Sequence, residues 1–246
     1  MLSIIIPTLN EAAIIEATLG AVAKLRGRVE VLVVDGGSED GTPEIVRRCG
    51  VRLINASRGR GTQMHAGAVI ATGEVLWFLH ADTQPPKNAI GHILKALADP
   101  AVAGGHFAIR FSGPRQSARL LTWVYPRLRW FGLCYGDSGI FVRRTAYEQV
   151  GGFRPFPIFE DLDLLRRLKR CGRFVHLQHT VTTSSRRFER SSFTLTFAWW
   201  TVLQVLYWLG VSPRFLGRLY APIREQKPDR GGTPVLTSLY EKNGNH

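Results

Sequence analysis

The sequence has few cysteines and no pattern of them that would form a disulfide framework or a structural zinc site. Only three cysteines occur in 246 residues, at positions 49, 134 and 171, and none forms a CxxC pair. An odd number of widely spaced cysteines is typical of a reduced compartment. The start of the chain lacks a basic segment followed by a long apolar one, so we expect no secretory signal. We therefore expect a cytoplasmic protein.

Two common phosphate-binding motifs are also absent. The first apolar run is followed by PTLNEA, where a dinucleotide-binding protein has GxGxxG, and no GxxxxGK[ST] loop occurs. Residues 58–62, RGRGT, are similar to the glycine-rich loop of sugar nucleotidyltransferases, although that loop belongs after the first strand and this segment follows the third. A sugar nucleotidyltransferase is therefore an alternative function.

Acidic residues are scarce in the second half of the chain. Residues 1–109 contain 10 basic and 10 acidic residues, whereas residues 110–190 contain 16 basic and 6 acidic ones, and the whole chain carries a net charge of +13. This imbalance favours an anionic partner: a phosphorylated substrate, an anionic lipid or a nucleic acid. A solvated arginine-rich surface would give the same composition. No helix-turn-helix, zinc-finger or RNP pattern supports nucleic-acid binding, so we expect no nucleic-acid partner.

The first hundred residues alternate between predicted strands and helices. Apolar runs predict strands at residues 2–7, 29–34, 51–54 and 74–79, with helices at 10–27, 42–50, 62–71 and 85–98. Asn10 and Thr42 are predicted to cap the first two helices. Beyond residue 100 the pattern predicts strands at 102–111, 138–143 and 174–183 and helices at 115–131 and 161–171. Such a βαβ repeat requires an α/β fold with a mostly parallel central sheet flanked by helices.

Polar and glycine residues follow each of the first four predicted strands. They lie at residues 7–11, 35–41, 58–63 and 80–84. In a parallel α/β sheet, ligands bind at the edge formed by the carboxyl ends of the strands. Helix N-termini and glycine turns at that edge suit phosphate groups. The sequence therefore predicts a nucleotide-binding cleft there.

Six segments in order resemble the inverting family 2 glycosyltransferases with the Rossmann-like GT-A fold: IIIPTLNEA, VVDGGSEDGT, FLHADTQ, GDSGIFVRR, FEDLDLLRRL and TSSRRF. The chain is similar to small bacterial members, and more distantly to dolichyl-phosphate mannose synthases. The resemblance implies a glycosyltransferase domain at residues 1–190, with a donor half at 1–109 and an acceptor half at 110–190. It also implies transfer of a sugar from a nucleotide-sugar to an acceptor hydroxyl or phosphate in one displacement.

The resemblance implies roles for individual residues. Asp161 is the expected general base, with Glu160 orienting it or contacting the acceptor, although both acids could simply cap a helix. Asp35 could instead be a turn residue, and the 58–63 loop could be solvated. The residues expected around the donor are Pro7, Thr8, Asn10, Glu11, Asp35, Gly36, Arg58, Gly59, Arg60, Gln63, Ala81 and Asp82. Those expected near the acceptor or a phosphate are Asp137, Arg186 and Arg187.

A divalent metal, Mg²⁺ or Mn²⁺, is the cofactor that the resemblance implies. Asp82 matches the last acid of the family's DxD motif, and oxygen ligands suit a hard cation that neutralises the departing nucleoside diphosphate. His80 stands where the family has the first acid. It could bind Mn²⁺, bind phosphate, or leave the metal with one protein carboxylate. Gln84 is a further candidate ligand.

Residues 193–211 contain no charged side chain, and arginines lie on both sides of them. The length is at the lower limit for a membrane span, but aromatic residues in the middle do not fit one. The open interpretations are a helix docked on a membrane surface, a buried or homodimer helix, and a span. We assign residues 191–222 to this apolar helical segment and 223–246 to a flexible polar tail. The inner face of the cell membrane is therefore a candidate location, and a lipid-linked or phosphorylated molecule a candidate acceptor.

Overall fold

A computed structural model describes residues 1–112, 138–184 and 193–224. In these ranges the chain forms an eight-stranded sheet with helices on its faces. The strands are β1 (Leu2–Thr8), β2 (Val29–Asp35), β3 (Arg52–Asn55), β4 (Val75–Phe78), β5 (Thr83–Gln84), β6 (Val102–Ser112), β7 (Phe141–Arg143) and β8 (Arg173–Ser184). The helices are α1 (Ala12–Ala23), α2 (Thr42–Arg48), α3 (Arg60–Ile70), α4 (Ala89–Ala96), α5 (Arg144–Gln149), α6 (Glu160–Leu168), α7 (Phe193–Trp208) and α8 (Pro213–Arg224).

The sheet has the strand order β3-β2-β1-β4-β7-β6-β8-β5. Strands β1 to β4 are mutually parallel, β7 is antiparallel to both β4 and β6, and β8 is parallel to β6. Only β5 and β7 therefore run against the other strands of the described sheet. The carboxyl ends of the remaining strands point to the same edge, as the prediction of a mostly parallel sheet requires.

The core lies in two layers, one on each face of the sheet. Strand β1 contributes to both, because alternate side chains point to opposite faces: Ile4 and Ile6 pack with α1 and α4, whereas Ile5 packs with α3, α5 and α6. Burial on both faces explains why β1 is rich in isoleucine at consecutive positions. Gly67 of α3 lets that helix approach the sheet closely, since a side chain there would overlap Ile5.

Two predicted helix caps are wrong. Asn10 precedes the N-cap of α1, which is Glu11, and adopts a left-handed conformation with φ of 56°. Gly41, with φ of 86°, is the N-cap of α2, so Thr42 is the first helical residue. In both cases the polar side chain bonds to another loop instead of its own helix, and local spacing does not reveal such a partner.

Three further differences concern element boundaries. The two-residue strand β5 and the short helix α5 were not predicted, and α4 begins at Ala89, after the two prolines that were expected to open it. The predicted helix at 115–131 and most of the predicted tail lie outside the described residues.

The apolar C-terminal segment forms α7, and α8 follows after a short turn. None of the helices in the described ranges has the length and hydropathy needed to cross a membrane. Leu203 of α7 and Leu216 of α8 pack against Ile158, Phe159 and Leu162. Gly217 contacts Pro157 so closely that a side chain could not fit between them. One side of the helix pair is therefore part of the core.

Candidate functional site

The polar loops that the sequence places after the strands do leave from one edge of the sheet. Strands β1, β2 and β3 end in register at Thr8, Asp35 and Asn55. Strand β4 ends beside β1, where the Leu79 N–H donates to the Ile5 carbonyl over 3.0 Å. Strand β8 ends at the same edge. The loops that carry the predicted donor and metal residues therefore begin next to one another.

Asp35 is buried, with 2% exposure, and its contacts shape the loop after β2. Its Oδ1 accepts hydrogen bonds from the hydroxyls of Thr8 at 2.9 Å and Ser38 at 2.6 Å. Its Oδ2 accepts from the backbone N–H groups of Gly37 at 2.9 Å and Ser38 at 2.8 Å. Asp35 therefore holds the glycine turn in shape, and its direct contact with a nucleotide stays a prediction.

A network between the β1–α1 and β2–α2 loops fixes the start of α1. The backbone N–H of Asn10 donates to Ser38 Oγ at 2.8 Å, and that of Glu11 donates to Thr42 Oγ1 at 2.9 Å. Asp40 accepts from the Ala12 N–H at 2.9 Å and from the Thr42 hydroxyl at 2.5 Å. Burial alone would raise the pKa of Asp40, but these hydrogen bonds hold it below its usual value.

Gln63 is buried between the ends of β1 and β2, and its contact with the donor stays a prediction. Its side chain is 4% exposed, and its amide nitrogen donates to the carbonyls of Thr8 at 2.7 Å and Val34 at 2.8 Å. Both N–H groups are thereby used. Gln63 joins the ends of β1 and β2, which is a structural role.

Arg60 and Glu160 form an ion pair that connects the first turns of α3 and α6. The Glu160 side chain is 2% exposed and that of Arg60 is 32% exposed. Glu160 Oε2 is buried and has no hydrogen-bond partner among the described residues. Gly61 allows the close contact, since a Cβ there would lie 2.8 Å from the Arg154 carbonyl oxygen. The pair brings the acids of the second half of the chain to the loop after β3.

Asp161 lies in the first turn of α6 and is 4% exposed. Its Oδ1 accepts a hydrogen bond from the Leu162 N–H at 2.8 Å. Phe159, the N-cap residue that precedes α6, is in the left-handed region with φ of 62°. A carboxylate in this place is stabilised by the helix dipole, whether or not it also acts as a base.

Asp82 is partly buried beside the end of β8. Its Oδ1 accepts long hydrogen bonds from the hydroxyls of Thr83 at 3.4 Å and Thr183 at 3.3 Å. His80 is 7% exposed, whereas Gln84 is exposed on the edge strand β5. Within the described ranges no group of three or more His, Cys, Asp or Glu side chains could hold a metal ion.

Other predicted site residues are exposed, buried or undescribed. Arg58 is exposed on the loop before α3, and Ala81 is buried, with its carbonyl accepting from the Thr18 hydroxyl at 2.6 Å. Asp137, Arg186 and Arg187 lie outside the described residues. Asp40 and Thr183 were not among the predicted site residues, although Asp40 binds the start of α1 and Thr183 contacts Asp82. The position of Asp40, two residues before a helix, was a sequence signal for its contacts. No local sequence feature indicated the contact of Thr183 with Asp82.

Part of the basic charge of residues 110–190 is used inside the fold. Arg143 donates to carbonyl groups after α4, and Arg144 donates to carbonyl groups at the end of α3. Arg167 bonds to Asp163 at 2.6 and 2.9 Å. Cations at helix C-termini satisfy carbonyls that lack a partner in the helix. Composition alone therefore overstates the cationic surface.

Comparison with known proteins gives a consistent likeness. The model of a family described as Glycosyl transferase family 2 matches residues 3–154. YdaM of Bacillus subtilis, a probable glycosyltransferase, is 26% identical over 196 residues, which cover 69% of this chain and 47% of that protein. An undecaprenyl-phosphate 4-deoxy-4-formamido-L-arabinose transferase of Aeromonas hydrophila is 32% identical over 109 residues, which cover 39% of this chain and 33% of that protein. The chain thus spans about half or less of these curated relatives.

Among solved structures, a mannosyltransferase of Pyrobaculum calidifontis in complex with GDP-Man and Mn²⁺ has a similar fold. The TM-score is 0.64 at 21% sequence identity, and the match covers 92% of this chain and 70% of that one. At this identity the likeness shows the fold. The predicted GT-A architecture is confirmed.

Proposed function

Because the chain belongs to glycosyl transferase family 2, we propose that it transfers a sugar from a nucleotide-sugar to an acceptor with inversion at the anomeric carbon. The observation that carries this proposal is the ion pair between Arg60 and Glu160. It joins the loop after β3, on the donor side, to the acidic start of α6. A transferase that acts by direct displacement needs a carboxylate next to its donor, and this contact supports that place for Asp161, the residue after Glu160.

The donor would bind along the edge formed by the ends of β1 to β4. The start of α3 gives N–H groups and a positive helix end for a nucleotide, beside the ends of β1 and β2 at Pro7, Thr8 and Gly36. Gly59, with φ of 144°, adopts a conformation that a larger residue would resist, so the chain can bend into α3 beside Arg58 and Arg60. Guanidinium groups there suit a diphosphate.

Asp82 fits a hard divalent cation, since it offers a partly exposed carboxylate at the site edge with only long hydrogen bonds to two hydroxyls. When bound, Mg²⁺ or Mn²⁺ would neutralise the negative charge of the departing nucleoside diphosphate. Such ions are commonly held by one or two carboxylates together with substrate phosphates. His80 and Gln84 stay candidates for secondary contacts.

Asp161 is the general base in this proposal. It takes the proton from the acceptor hydroxyl while that oxygen forms a bond to the anomeric carbon and the bond to the diphosphate breaks. One displacement inverts the configuration and leaves no covalent sugar on the enzyme. Glu160, fixed by Arg60, holds the first turn of α6 and offers its second oxygen, Oε2, to a sugar hydroxyl.

The acceptor that we propose is a hydroxyl or phosphate group of a lipid-linked molecule. Support comes from the name of the Aeromonas relative, which is an undecaprenyl-phosphate transferase. It also comes from the apolar helices α7 and α8, which pack directly behind Phe159 and Leu162 at the start of α6. Asp137, Arg186 and Arg187 stay candidates for acceptor or phosphate contacts.

The test is Asp161→Asn, assayed with a panel of nucleotide-sugars and lipid phosphates in the presence of Mn²⁺. Transfer should fall by at least about a hundredfold, because a general base contributes roughly that much, while binding of the nucleoside diphosphate is kept. Wild-type turnover in this variant would exclude Asp161 as the base. Release of pyrophosphate from a sugar phosphate and a nucleoside triphosphate would instead favour the nucleotidyltransferase alternative.

A further inference from the structure

Helices α7 and α8 expose a set of large apolar side chains that are not part of the core cluster that these helices share with α6. Of the 11 large apolar side chains that are exposed among the described residues, 7 belong to this small region. They are Trp199, Val202, Val205, Trp208, Leu209, Phe215 and Leu219, and we call them the apolar face. Their exposure ranges from 36% for Leu219 to 75% for Leu209. Single exposed apolar residues are ordinary, but a cluster of this size marks an interaction surface.

The charges around the apolar face are positive. Arg214 and Arg218 are exposed on α8 next to Phe215 and Leu219, and residues 193–224 contain no acidic side chain. The exposed side chains of Arg166 and Lys169 also line a groove between α6 and α7. This groove has a volume of about 300 Å³, and Trp208 of the apolar face forms part of its wall.

A second copy of the chain fits this surface poorly. In a two-fold dimer the same patch meets itself, so the arginines of α8 would approach their counterparts with no acid on either helix to pair with them. An anionic bilayer fits both features. Apolar side chains enter the boundary between headgroups and acyl chains, and each nearby cation adds roughly 1 kcal/mol. Tryptophan is also enriched at that depth.

We propose that the apolar face of α7 and α8 docks this protein on an anionic lipid bilayer, with Arg166, Lys169, Arg214 and Arg218 against the lipid phosphates. The docked helices pack behind Phe159 and Leu162, so the acidic start of α6 lies one layer of side chains from the membrane. Docking does not depend on the sugar transfer proposed above, because it uses none of the residues assigned to that reaction.

The test is cosedimentation of the full chain with phosphatidylcholine vesicles that contain or lack phosphatidylglycerol. We expect binding to the anionic vesicles that weakens with salt. The double variant Val205→Ser/Trp208→Ser should reduce binding by at least about tenfold, equal to about 1.4 kcal/mol. Arg214→Glu/Arg218→Glu should remove the preference for phosphatidylglycerol. The matched control is Val69→Ser/Leu94→Ser, which changes exposed apolar residues of α3 and α4 and should bind like the wild type.

Equal binding by the control and the apolar-face variant would overturn the proposal. Failure of the wild-type protein to bind either kind of vesicle would also overturn the proposal. Sedimentation velocity tests the alternative that a second copy of the chain binds the apolar face. That alternative would hold if the wild-type protein does not bind vesicles but forms a dimer, and if Val205→Ser/Trp208→Ser dissociates this dimer. Nucleoside diphosphate binding, measured on each variant, separates loss of docking from loss of the fold or of the proposed active site.

Discussion

Replacing Arg60 by methionine should destabilise the protein more than replacing its partner Glu160 by glutamine. Arg60→Met keeps most of the packing of the side-chain stem but leaves the Glu160 carboxylate, 2% exposed, without its cation. Breaking a fully buried pair costs about 3–5 kcal/mol, and the partial exposure of Arg60 reduces this to about 2–4 kcal/mol. Glu160→Gln leaves a guanidinium that is 32% exposed and that water can reach, so about 1 kcal/mol is expected.

Thermal and urea unfolding of both single variants and of the double variant measure these costs. For a chain of this length about 1 kcal/mol corresponds to roughly 2–4 °C, so Arg60→Met should lower Tm by about 4–16 °C. The double variant should be more stable than Arg60→Met alone, because no unpaired charge is then buried. The control is Arg47→Met, which removes a pair to Glu44 whose side chains are 59% and 70% exposed, and it should change stability by less than about 0.5 kcal/mol.

Two outcomes would refute this reasoning. If the costs of the two single variants simply add in the double variant, Arg60 and Glu160 do not interact in solution. If Glu160→Gln lowers the free energy of unfolding as much as Arg60→Met does, the difference in burial between the Arg60 and Glu160 side chains does not determine the cost.

Three more perturbations have defined outcomes. Asp82→Asn should weaken Mn²⁺-dependent binding of a nucleoside diphosphate by at least about tenfold in calorimetry, and unchanged binding would remove the proposed metal contact. Gln63→Leu should lower stability by about 1–3 kcal/mol in urea unfolding, because it leaves two buried carbonyls at the ends of β1 and β2 without donors, and a neutral result would contradict its structural role. Burial and the nearby charges of His179 and Lys95 lower the pKa of His92, so the unfolded chain binds a proton there more readily and stability falls as the pH drops below about 6.5. The Tm of His92→Gln should therefore decrease less between pH 7 and pH 5 than the Tm of the wild type. An equal decrease would show that His92 does not contribute to the pH dependence of stability.

The order of strands and helices in the first hundred residues could be predicted because each depends on local spacing. Strand β1, which is rich in isoleucine, was predicted to be buried on both faces, and the structure shows it in the interior of the described sheet, between β2 and β4. Strand β5 could not be found this way. It is two residues long and exists because it pairs with β8, a hundred residues later.

The candidate site shows the same division between local and distant information. The loops at residues 7–11 and 35–41 were located by the rule that ligands bind where parallel strands end, and the structure brings them together. The rule does not say which side chains stay available to a ligand. Gln63 donates to carbonyl groups 55 and 29 positions away, and Asp35 accepts from Thr8, 27 positions away, as well as from its own turn. The long-range contacts cannot be predicted from local spacing.

The way α1 begins has a consequence for how the chain assembles. The first free N–H groups of α1 are satisfied by Asp40 and Thr42, which lie 28 and 31 positions later in the sequence. During synthesis these N–H groups can form their hydrogen bonds only after β2 and the turn that follows it have been made. The opening βαβ unit should become stable in one step, and amide exchange at Glu11 and Ala12 should report the moment when β2 joins β1.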